Sequence, residues 1–307
     1  MSVALAFLNM ILSAVSEIMG KQVSNEKIKS ETMFINTYLF LGIFKVLLIA
    51  ITVGGAFVFR PMMFLLLIPN MIMAAFINYL YIKSLKMLPI SVVAPMYLIY
   101  YPISMLFSIG LLKEEVSAIQ LIAMAVIFVL IIILSISTSK NRLNKGINEE
   151  HYEATNKKLG VHLKSISKGI VYIISAGLLN GILVILDKNA YNSGVTANEM
   201  ILFGGMANIV IAFIMYGIMK KSFAHKGSKY LYTLTPLMLL TIGIKFLCSV
   251  SYTAAMKTGN ATTVIPITAS SILLVAILSA LFLNERLKKF DYMCMVLFVV
   301  SIIVLIL

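Results

Sequence analysis

Long apolar stretches, separated by short polar breaks, run along almost the whole chain. A helix needs about 20 mainly apolar residues to cross a bilayer, and ten stretches of this sequence meet that requirement. They lie at approximately 3–24, 33–57, 61–82, 88–112, 117–138, 168–189, 197–219, 234–256, 260–283 and 290–307. The pattern predicts an all-α integral membrane protein with ten transmembrane helices.

The composition agrees with a membrane protein. Of the 307 residues, 61% are hydrophobic and 12% are charged, and the mean hydropathy is +1.00. Soluble domains are about 45–50% apolar and about 25% charged. The formal net charge is +13, but most of the charges fall in predicted loops. The partner that this basic surface predicts is the lipid bilayer with its anionic headgroups, and not nucleic acid.

The ten predicted helices divide into two sets of five. Only one loop is long: residues 139–167 are polar and charged, which is typical of a flexible linker. The sequence therefore predicts a first repeat at residues 1–138 and a second repeat at residues 168–307.

The two sets share residues at constant spacing. A shift of 171 residues superposes the end of helix three through helix five on the end of helix eight through helix ten, and a shift of 167 superposes "GKQVSN" on "DKNAYN". The matched pairs are Lys21/Lys188, Asn25/Asn192, Tyr81/Tyr252, Lys86/Lys257, Val93/Val264, Pro95/Pro266, Ser108/Ser279, Leu112/Leu283 and Glu114/Glu285. Because five is odd, the second copy enters the membrane in the opposite sense. This predicts a 5+5 inverted repeat, whose halves move around a site near the bilayer midplane.

Two stretches carry further common marks. One begins "YIKSLKMLPISVVAP" at residue 81 and ends in "KEEV" at 113–116, and the other begins "YTAAMKTGNATTVIP" at residue 252 and ends in "NERL" at 284–287. With a proline in helices four and nine and an apolar helix after each Glu-Arg-Leu-like end, the chain resembles the EamA-type permeases of the drug/metabolite transporter superfamily. The resemblance implies a transporter. It implies no single substrate, because relatives carry amino acids, sugars, nucleotide sugars, phosphorylated metabolites and cationic drugs.

The two predicted faces of the protein differ in charge. Loops after the odd-numbered helices hold eighteen Lys and Arg residues, while those after the even-numbered helices hold Arg60, Lys113, Lys188 and Lys257. Cytoplasmic loops carry the excess of basic residues, so we predict that the odd-numbered loops are cytoplasmic. The predicted location is the cell membrane, which the chain crosses several times.

Polar residues recur at helical spacing inside the predicted spans. Each can join two helices by a hydrogen bond of about 1 kcal/mol, or the set can line a water-filled cavity, which the repeat favours. The candidates are Ser13, Asn78, Tyr97, Tyr101, Asn180, Ser270 and Ser271. Pro95 and Pro266 are candidate hinges, because proline removes a helical hydrogen bond and permits a bend. A simple packing kink is the alternative.

Four ionisable residues lie within or near the spans: Glu17, Lys21, Lys45 and Lys245. A charge at mid-bilayer costs about 2.5–3.5 kcal/mol on insertion scales, so a partner or a function is expected. Lys21 follows Glu17 at i+4, which suits a helical ion pair, and a deeper lysine could instead bridge to Glu17. "SEIMGK" also resembles the first helix of the small multidrug resistance proteins, which implies that Glu17 binds protons and cations in turn.

These residues predict a secondary active transporter, working by alternating access, that exports a small polar metabolite such as an amino acid or related zwitterion. Proton coupling is left open. The alternatives are a proton/organic-cation antiporter using Glu17, a carrier of phosphorylated or carboxylate metabolites using Lys45 and Lys245, and a lipid flippase or non-transporting scaffold.

An enzyme is not expected, because the histidines fall in predicted loops and Glu17 has no second deep acid. We predict no cofactor and no metal site. Cys248 and Cys294 are interpreted as small buried hydrophobes. A monomer suffices for a complete inverted repeat, and a dimer is compatible with it.

Overall fold

The computed structural model is α-helical throughout the part of the chain that it describes. It describes residues 1–26, 28–53, 60–88, 90–113, 117–123, 125–126, 128–130, 133, 156–223, 234–282 and 289–306. Most of the predicted linker, the "KEEV" end after its first residue and the "NERL" end lie outside these residues.

Twelve helices can be described. They are α1 (Ser2–Asn25), α2 (Ser30–Thr52), α3 (Pro61–Met87), α4 (Ile90–Tyr97), α5 (Tyr100–Leu112), α6 (Ala118–Leu130), α7 (Asn156–Asn192), α8 (Ala197–Phe223), α9 (Pro236–Thr258), α10 (Ala261–Ala269), α11 (Ser271–Phe282) and α12 (Lys289–Ile306).

Seven of the described stretches are long and apolar enough to cross a membrane. They are Ser2–Asn25, Ser30–Thr52, Pro61–Met87, Ser167–Asn192, Ala197–Met219, Pro236–Thr258 and Ala261–Ser279. Large apolar side chains on their outer surfaces are exposed, as lipid contact requires; Ile51 is 81% exposed and Phe213 is 63% exposed. The chain is therefore a multi-pass membrane protein, while the ten spans in 5+5 order stay a prediction. Helix α7 begins at Asn156, within the predicted linker, and its apolar part begins at Ser167.

Helices of the first half pack mainly against helices of the second half. Helix α1 packs along α9, α3 packs along α7, and α2 packs along α8. The repeat matches α1, α2 and α3 with α7, α8 and α9. Under this match the α1–α9 contact corresponds to the α3–α7 contact, and the α2–α8 contact corresponds to itself. Helices α2 and α8 approach most closely at Gly42, where an added Cβ would lie 2.7 Å from Gly205 O. Glycine is needed here because the neighbour is backbone and cannot rotate away.

Two of the predicted spans are interrupted in the middle. The span predicted at 88–112 divides into α4 and α5, and the span predicted at 260–283 divides into α10 and α11 at Ser270. Both interruptions follow Pro95 or Pro266 by a few residues. Short-range bonds close the chain there: Tyr101 N–H donates to Leu98 O at 2.9 Å, and Leu273 N–H donates to Ser270 O at 3.0 Å. Such i→i+3 bonds tighten the helix ends at an interruption.

A lysine ties the first helix of each half to the end of the third. We call these two groups the lysine clasps. Each ammonium donates to two backbone carbonyls at the carboxyl end of α3 or α9, where helical carbonyls otherwise lack partners. The bonds run from Lys21 Nζ to Leu85 O (2.7 Å) and Leu88 O (2.9 Å), and from Lys188 Nζ to Met256 O (3.1 Å) and Gly259 O (2.6 Å). The two clasps occupy the same positions of the sequence repeat.

Candidate functional site

A cavity of about 420 Å³ lies between the two halves of the helical bundle. Side chains from α1 to α5 and from α7 to α11 form its wall. The polar and charged residues that line it are Asn9, Ser13, Ser16, Glu17, Thr37, Tyr38, Lys45, Asn70, Asn78, Tyr81, Tyr97, Tyr100, Asn180, Asp187, Asn208, Lys245, Ser249, Tyr252, Thr253, Thr268 and Ser271. This volume is within the range of about 300–1,000 Å³ typical of small-molecule sites.

Most of the candidate residues from the sequence line this cavity. Those that do so are Ser13, Glu17, Lys45, Asn78, Tyr97, Asn180, Lys245 and Ser271. Ser13 donates to Asn9 Oδ1 at 3.3 Å, and Asn78 Nδ2 donates to Ala74 O at 2.9 Å. The structure therefore brings the predicted polar residues together, and their roles in binding or coupling stay predictions.

Three candidates lie away from the cavity wall. Lys21 forms the first lysine clasp, Ser270 donates to Ile267 O at the interruption between α10 and α11, and Tyr101 is fully buried in the core. The Tyr101 hydroxyl has no hydrogen-bond partner among the described residues. The candidate hinges Pro95 and Pro266 belong to α4 and α10, on the amino-terminal side of the two interruptions.

The position of Tyr101 has a simple geometric reason. A continuous helix would place Tyr97 and Tyr101 on one face, because they are four residues apart. The helix instead ends at Tyr97 and begins again at Tyr100, which changes the phase of the later residues. Tyr100 therefore lines the cavity and Tyr101 turns into the core.

Asp187 is a second cavity carboxylate that the sequence analysis missed. It lies near the end of α7 and accepts a hydrogen bond from Asn70 Nδ2 of α3 at 2.9 Å. The sequence contained a signal for it, because Asp187 follows Asn180 by seven residues and so shares its helical face. The expectation of a single deep acid was wrong, and the cavity contains two acids and two lysines.

The four charges attract in two pairs that each join the two halves. Glu17 of α1 is attracted by Lys245 of α9, and Lys45 of α2 is attracted by Asp187 of α7. All four side chains are only partly exposed. At full ionisation their charges sum to zero, so the cavity suits a neutral or dipolar solute better than a bare ion.

Tyrosines form the wall beside Glu17. The Tyr81 and Tyr97 rings are 5.1 Å apart in an edge-on arrangement, and the Tyr97 and Tyr100 rings are 5.5 Å apart. All three lie within the electrostatic influence of the Glu17 carboxylate. Aromatic faces attract ammonium groups, so this side of the cavity combines a carboxylate with rings suited to a cation.

Arg60 and Glu199 join the two halves near one end of the bundle. Arg60 binds both carboxylate oxygens of Glu199 and also donates to Gly194 O at 3.0 Å. The bond to Glu199 raises the pKa of Arg60 above its usual value. Glu199 also accepts from Thr196 N–H at 2.8 Å, and Thr196 Oγ1 accepts from Glu199 N–H at 3.2 Å. This reciprocal capping box begins α8.

Within the described residues, no group of three or more His, Cys, Asp or Glu side chains could hold a metal ion.

Comparisons with known proteins give one family and one fold. No curated protein matches the sequence. A solved structure described as "Crystal structure of protein" has a TM-score of 0.69 and 11% identity, and the match covers 100% of this chain and 98% of that chain. At this identity the likeness shows the fold alone.

The sequence model of the EamA-like transporter family matches residues 167–307. This is a family of transporters and not of enzymes. The resemblance inferred from the repeated motifs is thus confirmed, and residues 167–307 are similar to the EamA-like transporter family.

Proposed function

We propose that the protein is a secondary active transporter in the cell membrane that exports a small zwitterionic metabolite, such as an amino acid, by alternating access. The observation that carries this proposal is the cavity between the two halves, with Glu17, Asp187, Lys45 and Lys245 in its wall. A site near the centre of two related halves is what alternating access requires.

The charge of the wall supports a zwitterion over the alternative substrates. Because the four wall charges sum to zero, an organic cation would leave a net positive charge in the cavity, and a phosphorylated metabolite would leave a net negative charge. Each uncompensated charge is costly in an apolar surrounding. A solute with one ammonium and one carboxylate group keeps the sum of charges at zero and offers a partner to one acid and one lysine of the wall.

Movement of the halves is supported by the interrupted helices. The interruptions between α4 and α5 and between α10 and α11 occupy matching positions of the repeat. We propose that the complete chain forms ten spans in 5+5 inverted order, with Pro95 and Pro266 permitting a change of angle near the cavity. Discontinuous helices beside a central site are common in transporters of this architecture.

The proposal can be tested with purified protein in liposomes. Radiolabelled leucine and phenylalanine should accumulate by exchange against the same unlabelled amino acid, whereas tetraphenylphosphonium and glucose 6-phosphate should not compete. A dye that reports internal pH, recorded during the same experiment with wild type and Glu17→Gln, measures proton coupling. Stronger competition by the organic cation or by the sugar phosphate than by any amino acid would contradict a zwitterionic substrate.

A further inference from the structure

The four charged groups of the cavity are unequally supplied with protein partners. Asp187 is held by the Asn70 amide at 2.9 Å and attracted by Lys45. Among the residues that the structure describes, Glu17, Lys45 and Lys245 form no hydrogen bond and no direct ion pair, although the charges of Glu17 and Lys245 attract each other. The Lys45–Asp187 pair is therefore anchored by a third side chain, while the Glu17–Lys245 pair is not.

A charged group in an apolar surrounding is costly unless it is paired and hydrogen-bonded. Glu17 and Lys245 lie on α1 and α9, which pack along each other. In spite of this close packing, neither side chain is held by a hydrogen bond among the described residues, whereas Asp187 is held by Asn70. Their arrangement suits two groups of a solute placed between or beside them better than a bridge between helices.

A further polar group without a protein partner lies on the Glu17 side. The Tyr81 hydroxyl is buried and has no hydrogen-bond partner among the described residues. Its ring packs against Tyr97, and Tyr97 packs against Tyr100. Glu17 and the Tyr81 hydroxyl, which lack hydrogen-bond partners among the described residues, thus lie on the side of the cavity with aromatic rings, which attract a positive charge.

We propose that the solute binds with its ammonium group at Glu17 beside the tyrosines and its carboxylate at Lys245, while the Lys45–Asp187 pair, anchored by Asn70, is structural. This inference rests on the proposed transport of a zwitterion. It assigns an orientation to the bound solute and separates two charge pairs that the sequence does not distinguish.

Analogues that lack one end of the solute test the orientation. Isopentylamine is leucine without its carboxylate, and 4-methylpentanoate is leucine without its amino group. Replacing Lys245 by Met should weaken competition by leucine and 4-methylpentanoate, roughly tenfold to a hundredfold for one charge-assisted bond, and leave competition by isopentylamine unchanged. Glu17→Gln should produce the opposite selectivity. Equal losses for both analogues in each variant would overturn the orientation.

Two matched double variants test the division of roles. Glu17→Gln/Lys245→Met and Lys45→Met/Asp187→Asn each remove one acid and one base, so their net charge is equal. We expect the first to lose leucine exchange without a fall in Tm, and the second to have a lower Tm.

The inference fails if the first double variant lowers Tm as much as the second, or if Glu17→Gln/Lys245→Met protein keeps leucine exchange. Wild-type protein that exchanges neither leucine nor phenylalanine would instead overturn the proposed substrate class and the orientation with it. The comparison of Tm would still decide which pair is structural, because it needs no solute.

Discussion

At the helix ends, Lys21 in the first half and Lys188 in the second donate to the same two carbonyl positions of α3 and α9. In the cavity, by contrast, the matching positions differ: Glu17 matches Val184, Asp187 matches Gly20, and Lys245 matches Ala74. All six of these residues line the cavity. The two halves therefore share the lysine bonds that hold each half together, and they differ in the charged residues that line the cavity.

This comparison separates structural lysines from lysines suited to binding. A lysine that recurs in both halves and binds backbone carbonyls stabilises helix ends. A lysine that is present in one half only, and lines the cavity, is suited to binding a solute. Lys21 and Lys245 were both candidates in the sequence, and the structure places them in different environments.

The largest expected effect comes from joining the two halves covalently. In a background of Cys248→Ala and Cys294→Ala, the pair Arg60→Cys/Glu199→Cys replaces the ion pair between the halves. Linking these thiols with a bifunctional methanethiosulfonate should stop transport completely, and reduction should restore it. The pair Glu31→Cys/Lys83→Cys replaces an ion pair within the first half, and the same linkage there should leave transport intact. Equal inhibition by both linkages would show that the halves do not move relative to each other.

Breaking a lysine clasp should be the next largest effect. Replacing Lys188 by Met removes two bonds from a charged donor to buried carbonyls, which should lower the free energy of unfolding by about 3 kcal/mol or more. Lys21→Met should do the same, because its two carbonyl partners lie at the matching positions of α3. Chemical denaturation in mixed micelles measures both. A lower free energy of unfolding in one variant but not in the other would show that the two lysine clasps are not equivalent.

A smaller loss is expected at the crossing of α2 and α8. Gly42→Ala places a Cβ against the Gly205 carbonyl and should cost about 1–3 kcal/mol through overpacking, measured as a lower Tm. Gly217→Ala on α8 is the control, since nothing lies within 4 Å of its added Cβ. If the two variants have the same Tm, α2 and α8 do not pack closely at Gly42.

The smallest effect is expected at Tyr101. Its buried hydroxyl has no partner among the described residues, so Tyr101→Phe should leave transport unchanged and keep Tm the same or raise it slightly. Tyr97→Phe and Tyr100→Phe are the comparison, because these rings line the cavity. Loss of transport in Tyr101→Phe alone would contradict the change of helical phase between α4 and α5.

Much of this organisation could be predicted from the sequence, and the limits have physical causes. The matches Lys21/Lys188 and Lys86/Lys257 predicted a repeat, and the structure places them at equivalent helix ends. The partner of Lys21 could not be predicted, because helical spacing shows which residues share a face but not what faces them. Tyr101 was misplaced because the interruption of a helix changes its phase, and no spacing rule contains that change.

Glu199 has partners on two sides, and this affects how the contact with Arg60 can open. When Arg60 leaves, the carboxylate keeps its bonds to Thr196, and the guanidinium, whose side chain is 39% exposed, returns to water. Oε2 of Glu199 keeps its partners, while Oε1, whose described partner is Arg60, loses it in a side chain that is 4% exposed. Opening this contact therefore requires a new partner for Oε1, such as water, while the bonds to Thr196 keep the first turn of α8 in place.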